Sequence, residues 1–175
     1  MPEIFIVYTK LDTPVGAMFV ASHAGGLCGL QFGQNAESFL QNYLRQTYPD
    51  AQVQRDDAAN QQIVKQLQEY FSGNRRDFDL KLSPAGTPFQ QKVWQFLTTI
   101  PFGKTVSYAD VAAGVGNPKA SRAVGGANGK NPIAVIIPCH RVIAADGTLG
   151  GYAGGLQYKR TLLNHECAPY KESGA

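Results

Sequence analysis

Residues 107–128 read SYADVAAGVGNPKASRAVGGAN and contain two short helix patterns separated by a turn. Ser107 is a favourable N-cap for a helix over residues 108–113. The glycine-rich residues 114–117 indicate a turn, and Pro118 suits the first position of a second helix that runs to about residue 128. Because two short helices joined by such a turn are typical of a helix–turn–helix, the sequence predicts this motif over about 107–128.

A break in the chain lies upstream of this motif, at Ser-Pro-Ala-Gly in positions 83–86. Thr87 and Pro88 follow it as an N-cap and a first helical residue, so a new helix is expected to begin there. We therefore predict an N-terminal supporting domain over residues 1–84 and a mostly helical C-terminal domain over residues 87–175.

The N-terminal half has a different pattern. Short apolar runs at residues 4–8, 17–21 and 27–32 are separated by turn residues, which predicts three strands of a small antiparallel sheet. Apolar residues then recur at helical spacing over 39–44 and 63–71, which predicts two helices. Together the two halves indicate an α+β protein.

Composition limits the functional classes without choosing among them. The 175 residues are 43% hydrophobic and 17% charged, and no apolar run approaches the roughly 18–20 residues of a membrane span. With no basic signal-peptide start, the chain is expected in the cytoplasm and away from membranes. A net charge of +3 is compatible with a polyanionic partner but does not establish one. Three cysteines lack the spacing of a zinc site and are expected to be free thiols: Cys28, Cys139 and Cys167.

A reactive group is indicated where the apolar run 133–137 ends at Pro138. That run predicts a buried strand, with Cys139 and His140 directly after it. Neighbouring residues of an extended chain point to opposite sides, so a water is expected to bridge thiol and imidazole. Glu166 is a candidate partner for the far nitrogen of His140. The alternative for a lone cysteine is a small buried side chain without chemistry.

The second helix of the motif consists almost entirely of small residues and could approach a nucleic-acid groove closely. Its polar side chains are candidates for DNA contact: Lys119, Ser121, Arg122 and Asn128. Basic side chains would meet phosphates, or Arg122 would fill the space left by an extruded base. The alternative is a solvated arginine on a helix whose small residues only allow close packing.

Residues 137–142, Ile-Pro-Cys-His-Arg-Val, resemble the acceptor motif of the O6-alkylguanine-DNA alkyltransferases, also called methylated-DNA-protein-cysteine methyltransferases. The resemblance covers nearly all of residues 87–168. It continues, in the order and spacing of the family, through 116–120, 122–127, 131–132, 152–155 and 162–166. The N-terminal half resembles the family more loosely, through Thr-Pro-Val-Gly at 13–16, which implies a ribonuclease-H-like supporting domain.

The resemblance assigns roles to individual residues. It implies that Cys139 accepts the alkyl group, that His140 activates it through water, and that Glu166 polarises His140. Asn131 would buttress the loop and Tyr108 would protonate the leaving base. The implied substrate pocket comprises Tyr108, Val142, Ala153 and Gly154, with Arg122 as the residue that replaces the flipped base.

The resemblance also implies a partner and a mode of action. The substrate would be double-stranded DNA containing alkylated guanine, approached from the minor groove with the target base flipped out, and O4-alkylthymine is left open as a second substrate. Each molecule would act once, because a thioether is not hydrolysed at such a site. The protein would act as a monomer. No cofactor and no metal are expected, and the chain would be the free-standing form without an adaptive-response module.

Three other functions fit parts of the sequence. A helix–turn–helix regulator would read DNA sequence, but the second helix of the predicted motif offers few side chains that could contact base edges. An alkyltransferase-like lesion binder would bind damage without accepting the alkyl group, typically for want of the acceptor, whereas Cys139 is present. A cysteine hydrolase would turn over repeatedly on an ester, which an assay would reveal.

Overall fold

The N-terminal unit is built on a four-stranded sheet. In the computed structural model, which describes residues 3–174, β1 (Phe5–Thr13), β2 (Gly16–His23) and β3 (Gly26–Phe32) form the antiparallel sheet expected from the sequence. A fourth strand, β4 (Gln52–Arg55), pairs with β1 in parallel at the sheet edge. The sheet is therefore mixed, not purely antiparallel. All four residues of β4 are exposed, so no alternation of apolar and polar residues marks it in the sequence.

Two helices complete this unit where helical spacing predicted them. They are α1 (Ala36–Thr47) and α2 (Gln61–Phe71). Leu40 and Leu44 of α1 are fully buried in an apolar cluster with residues of the sheet. The unit ends at Ala85.

The C-terminal unit begins at Gly86 and is mostly helical, as expected. Its elements in chain order are α3 (Pro88–Leu97), β5 (Val106–Ser107), α4 (Tyr108–Gly114), α5 (Ser121–Gly129), a 3-10 turn (Cys139–Arg141), β6 (Val142–Ile143) and α6 (Leu156–His165). The short strands β5 and β6 pair in parallel. Helices α3, α4 and α5 contact one another. Among residues 3–174, no helix has both the length and the apolar character to cross a membrane.

Capping residues fix where α3 and α4 begin. Thr87 caps α3 in a reciprocal pair with Gln90, and Pro88 is the first residue of that helix. Ser107 caps α4 in the same way with Asp110. Such caps contribute about 1 kcal/mol each. Both sequence-predicted helix starts are confirmed, and the second makes Tyr108 the first residue of α4.

The second helix of the predicted motif starts later than expected. It begins at Ser121, not at Pro118, because residues 117–120 form a turn in which the Ala120 amide donates to the Asn117 carbonyl at 2.9 Å. Gly116 adopts φ +81°, a backbone conformation that favours glycine. Pro118 therefore occupies a turn position. The prediction that Pro118 is the first residue of the helix is wrong because proline at the second position of a turn has the same φ as proline at a helix start.

Candidate active site

The segment before Cys139 is a series of tight turns, so the predicted strand over 133–137 is wrong. All of its apolar residues except Ala134 are buried, but the segment forms local hydrogen bonds: the Ile137 amide donates to the Ile133 carbonyl at 3.0 Å. Val135 has φ +71°, which for a β-branched residue costs of the order of 1–3 kcal/mol. An apolar run shows that a segment is buried, and this one is buried without being extended.

Cys139 opens the 3-10 turn Cys139–Arg141 and is 5% exposed. Its Sγ lies 4.0 Å from the Tyr152 hydroxyl oxygen. Burial raises the pKa of the thiol, and the Asn131 amide, the Tyr152 hydroxyl and the Lys159 charge oppose that rise without reversing it. The resting side chain is therefore a thiol, and its use as a nucleophile requires a base.

His140, the residue that follows Cys139, forms a buried pair with Glu166. The Nε2 of His140 lies 2.8 Å from the Oε1 of Glu166, and both side chains are fully buried. Burial lowers the pKa of His140 although Glu166 opposes the shift, so the ring is neutral at neutral pH. Since a carboxylate only accepts, Nε2 carries the proton and Nδ1 holds the lone pair. Within residues 3–174, Nδ1 has no hydrogen-bond partner.

Arg141 holds the carboxylate of that pair. Its Nε and Nη2 donate to the two oxygens of Glu166 at 2.9 Å each, and Nη1 donates to the Ile100 carbonyl at 2.6 Å. Burial disfavours the charge on Glu166, yet the hydrogen bonds and charges of its partners keep its pKa well below its ordinary value. With His140 neutral, the positive charge responsible is that of Arg141. Glu166 therefore remains ionised and orients His140.

Lys159 is a second buried cation near the thiol, and the sequence reasoning did not single it out. It is fully buried on α6. Its Nζ donates to three carbonyls, of Val142 at 2.7 Å, Leu149 at 2.5 Å and Gly151 at 3.1 Å. The same Nζ lies 5.9 Å from the ring centroids of Tyr108 and Tyr152. Burial lowers the pKa of Lys159 to about 8.

A sequence signal for Lys159 does exist. Leu156, Lys159 and Leu162 recur at three-residue spacing and so lie on one face of α6. A lysine on the apolar face of a helix must be buried or reach the surface with its charged end. Arg141 gave no comparable signal, because its neighbours carry no periodic pattern.

Two asparagines bind the main chain on either side of Pro138. The Asn131 amide donates to the Ile137 carbonyl at 2.7 Å. The Asn128 amide donates to the Cys139 carbonyl at 3.2 Å, and its side chain is buried, with 6% of the residue exposed. The expectation that Asn128 contacts DNA is therefore corrected, because the last turn of α5 directs this residue inward.

The expected pocket residues lie at different depths. Val142 is buried in β6, and Tyr108 is half-buried, whereas Ala153 and Gly154 are exposed. The Tyr108 hydroxyl lies 3.4 Å from the Gly151 carbonyl oxygen, and burial raises the pKa of its phenol. Gly150 has φ +68°, and a Cβ there would lie 3.3 Å from the Tyr108 oxygen. Glycine at position 150 therefore leaves room for the phenol beside the loop.

The remaining expected DNA-binding residues are accessible. Lys119 in the turn before α5 and Arg122 on α5 are exposed, and Ser121 is half-buried. The helix thus has an outer side with Arg122 and an inner side with Asn128. Among residues 3–174, no cluster of three His, Cys, Asp or Glu side chains is arranged to hold a metal ion.

Comparison with protein families accounts for both units. The ribonuclease-like domain of 6-O-methylguanine DNA methyltransferase matches residues 6–84, and the DNA-binding domain of the same family matches residues 88–168.

Individual relatives align with this chain over nearly their whole length. The methylated-DNA–protein-cysteine methyltransferase of Methanosarcina acetivorans is 43% identical, with 91% of this chain and 97% of the relative covered. The constitutive enzyme of that name from Bacillus subtilis is 44% identical, with 94% and 98% covered.

A solved structure of Mycobacterium tuberculosis OGT in complex with DNA aligns with a TM-score of 0.80 at 42% identity. The alignment covers 93% of this chain and 95% of that chain. The α+β fold with an N-terminal ribonuclease-like domain is thereby confirmed. From the matched domains and the relatives' identities together, it follows that this chain belongs to the 6-O-methylguanine DNA methyltransferase family.

Proposed function

We propose that this protein repairs double-stranded DNA by transferring the alkyl group of O6-alkylguanine irreversibly to the Sγ of Cys139. The observation that carries the proposal is the buried Cys139 directly followed by the His140–Glu166 pair. A thiol with a raised pKa and a neutral imidazole on the next residue can serve as a nucleophile and its base. The family to which the chain belongs supports the same reaction.

The proton of the thiol leaves through His140. Its Nδ1 has no partner in the described protein and carries a lone pair, so it can accept the proton through one bridging water. The imidazolium that forms is stabilised by Glu166, which accepts from Nε2 at 2.8 Å and stays ionised beside Arg141. The relay therefore ends in a buried ion pair, and no proton needs to reach the carboxylate.

The transfer is a displacement at the alkyl carbon. The bond from Sγ to carbon forms as the bond from carbon to guanine O6 breaks, and the electron pair of that bond stays on the base. The base needs one proton to leave as neutral guanine, and the Tyr108 phenol would donate it. Its raised pKa keeps this phenol protonated before the reaction. The resulting thioether is stable, so each molecule acts once.

The buried thiol can reach a guanine only if the nucleotide leaves the base stack. We propose that the exposed side of α5 enters the minor groove, that Lys119 and Ser121 contact the phosphate backbone, and that Arg122 fills the space of the flipped base. Main-chain groups of Val142, Ala153 and Gly154 would line the pocket.

We also propose that the protein acts as a monomer in the cytoplasm. Every residue given a role above lies in the C-terminal unit, so the proposed chemistry does not require a second copy. The three cysteines Cys28, Cys139 and Cys167 are free thiols, which is compatible with a reducing compartment.

Mass spectrometry tests the central proposal. After incubation with duplex DNA containing O6-methylguanine, the intact protein should gain the mass of one methylene unit, and digestion should place the methyl group on Cys139. Cys28 and Cys167 provide internal controls and should stay unmodified. A methyl group on either of them, or an unchanged protein mass while the damaged DNA is bound, would contradict the proposal.

Replacement of Lys159 by methionine is expected to make Cys139 less reactive near neutral pH. The variant removes a buried positive charge that lowers the pKa of the thiol. The rate of Cys139 alkylation by iodoacetamide, measured by peptide mass against pH, should therefore rise at higher pH than in the wild type. In the wild type, the lowering of the Cys139 pKa by Lys159 should fade as pH increases through about 8, where Lys159 loses its charge.

Lys65→Met on α2 is the matched control for charge removal, because Lys65 is exposed. It should leave the pH profile of Cys139 unchanged. An identical profile for Lys159→Met and the wild type would show that Lys159 has no electrostatic influence on the thiol.

A further inference from the structure

Asn128 connects the inner side of α5 to the main chain of the acceptor cysteine. Its Nδ2 donates to the Cys139 carbonyl at 3.2 Å, while its Oδ1 is buried without a partner in the described residues. A carbonyl oxygen can only accept, so the amide must present its nitrogen to Cys139. The hydrogen bond thus fixes the orientation of the side chain.

This contact lies on a helix with two different sides. Val124, Ala127 and Asn128 of α5 are buried, whereas Arg122 is exposed. The Trp94 indole nitrogen also donates to the Ala127 carbonyl, at 2.9 Å, which anchors the same turn of the helix to α3. Asn128 is therefore held by a well-packed part of α5.

Asn128 and Asn131 together hold both ends of a three-residue segment. Asn131 binds the carbonyl of Ile137 and Asn128 binds that of Cys139, with Pro138 between them. Hydrogen bonds at both ends restrict how the main chain of this segment can rotate. The direction of the Cys139 side chain depends on that rotation.

We propose that Asn128 is a positioning residue for alkyl transfer, which ties Cys139 to α5, and that it is not a DNA contact. The inference rests on the proposed function, because a displacement requires the sulfur in line with the breaking bond. Misplacement by about 1 Å can slow such a reaction about 100-fold. Leucine has the same number of side-chain heavy atoms and the same branching as asparagine but no hydrogen-bond donor, so Asn128→Leu removes this hydrogen bond and keeps the shape of the side chain.

Separate measurements of binding and transfer test the proposal. The transfer rate constant at saturating O6-methylguanine duplex and the Kd for unmodified duplex are compared among the wild type, Asn128→Leu and Arg122→Ala. We expect Asn128→Leu to lower the rate constant roughly 10- to 100-fold and to keep Kd within about twofold. Arg122→Ala should weaken the Kd. An Asn128→Leu variant with weaker Kd and an unchanged rate constant would overturn the proposal.

The Asn128→Asp variant separates a hydrogen-bond donor from a merely structural side chain. A carboxyl group can donate to the Cys139 carbonyl only when it is protonated. The ratio of transfer rates, Asn128→Asp over Asn128→Leu, should therefore rise as pH falls, because the pH dependence of the thiol cancels in the ratio. A ratio that does not change with pH would overturn the proposal.

Failure of the proposed function would be visible separately, as an unmethylated wild-type protein. In that case the iodoacetamide rate at Cys139 still tests Asn128, since it needs no DNA. Asn128→Leu should change this rate at least several-fold. An unchanged rate would overturn the proposal that Asn128 positions the thiol.

Discussion

Replacement of Cys139 by serine is expected to abolish alkyl transfer to the protein while the fold and the affinity for DNA persist. At an alkyl carbon, a hydroxyl is a far weaker nucleophile than a thiolate at neutral pH. The substitution changes one buried atom, so the cost in stability should be about 1 kcal/mol. Methyl incorporation measured by intact mass should fall below detection, and the Kd for duplex DNA should stay near the wild-type value.

Cys167→Ser is the matched control, because it removes an exposed thiol one residue after Glu166. It should transfer at close to the wild-type rate. A methyl group on the Cys139→Ser protein would show that another side chain is the acceptor. Loss of DNA affinity in that variant would show that the acceptor also holds the substrate.

Several helix boundaries could be predicted from the sequence because they depend on contacts between residues that are close in the chain. Ser107 and Thr87 start their helices as expected, since a cap is a contact between residues three apart. Pro118 was misassigned because the same φ suits a turn and a helix start. The exposed strand β4 gave no signal because its pairing with β1 depends on the sheet and not on its own residues.

The site residues could be predicted from the sequence where the motif itself contains the reactive groups. His140 contacts Glu166, and Cys139 precedes His140 in a 3-10 turn that replaces the predicted strand end. Asn128 was misassigned because composition cannot tell which side of a small-residue helix faces inward. Lys159 was missed for a related reason, because its charge suggested a surface residue whereas three carbonyls hold it in the interior.

Replacement of Glu166 by glutamine should slow alkyl transfer about 10²- to 10⁴-fold. The neutral amide cannot stabilise the imidazolium that forms when His140 takes the thiol proton. The variant also leaves Arg141 as a buried cation without its counter-ion, which typically costs about 3–5 kcal/mol. Transfer rate and the free energy of unfolding should therefore both fall.

The pH dependence of unfolding distinguishes this residue from an exposed carboxylate. The pKa of Glu166 is lowered in the folded state, so its contribution to stability is complete above its unfolded value of about 4.5 and is lost as pH falls below that value. In Glu166→Gln the stability should therefore fall less steeply with pH below about 4.5. Glu172→Gln, which removes the exposed partner of Arg160, is the control and should change neither rate nor slope.

A double variant separates the chemistry of Glu166 from its structural role. Arg141→Met combined with Glu166→Gln removes the uncompensated buried charge, so it should recover part of the stability lost in Glu166→Gln. It should not recover transfer, because the imidazolium of His140 still has no anionic partner. Recovery of both stability and rate would mean that Glu166 serves only to neutralise Arg141, and the relay through His140 would then have to end on another group.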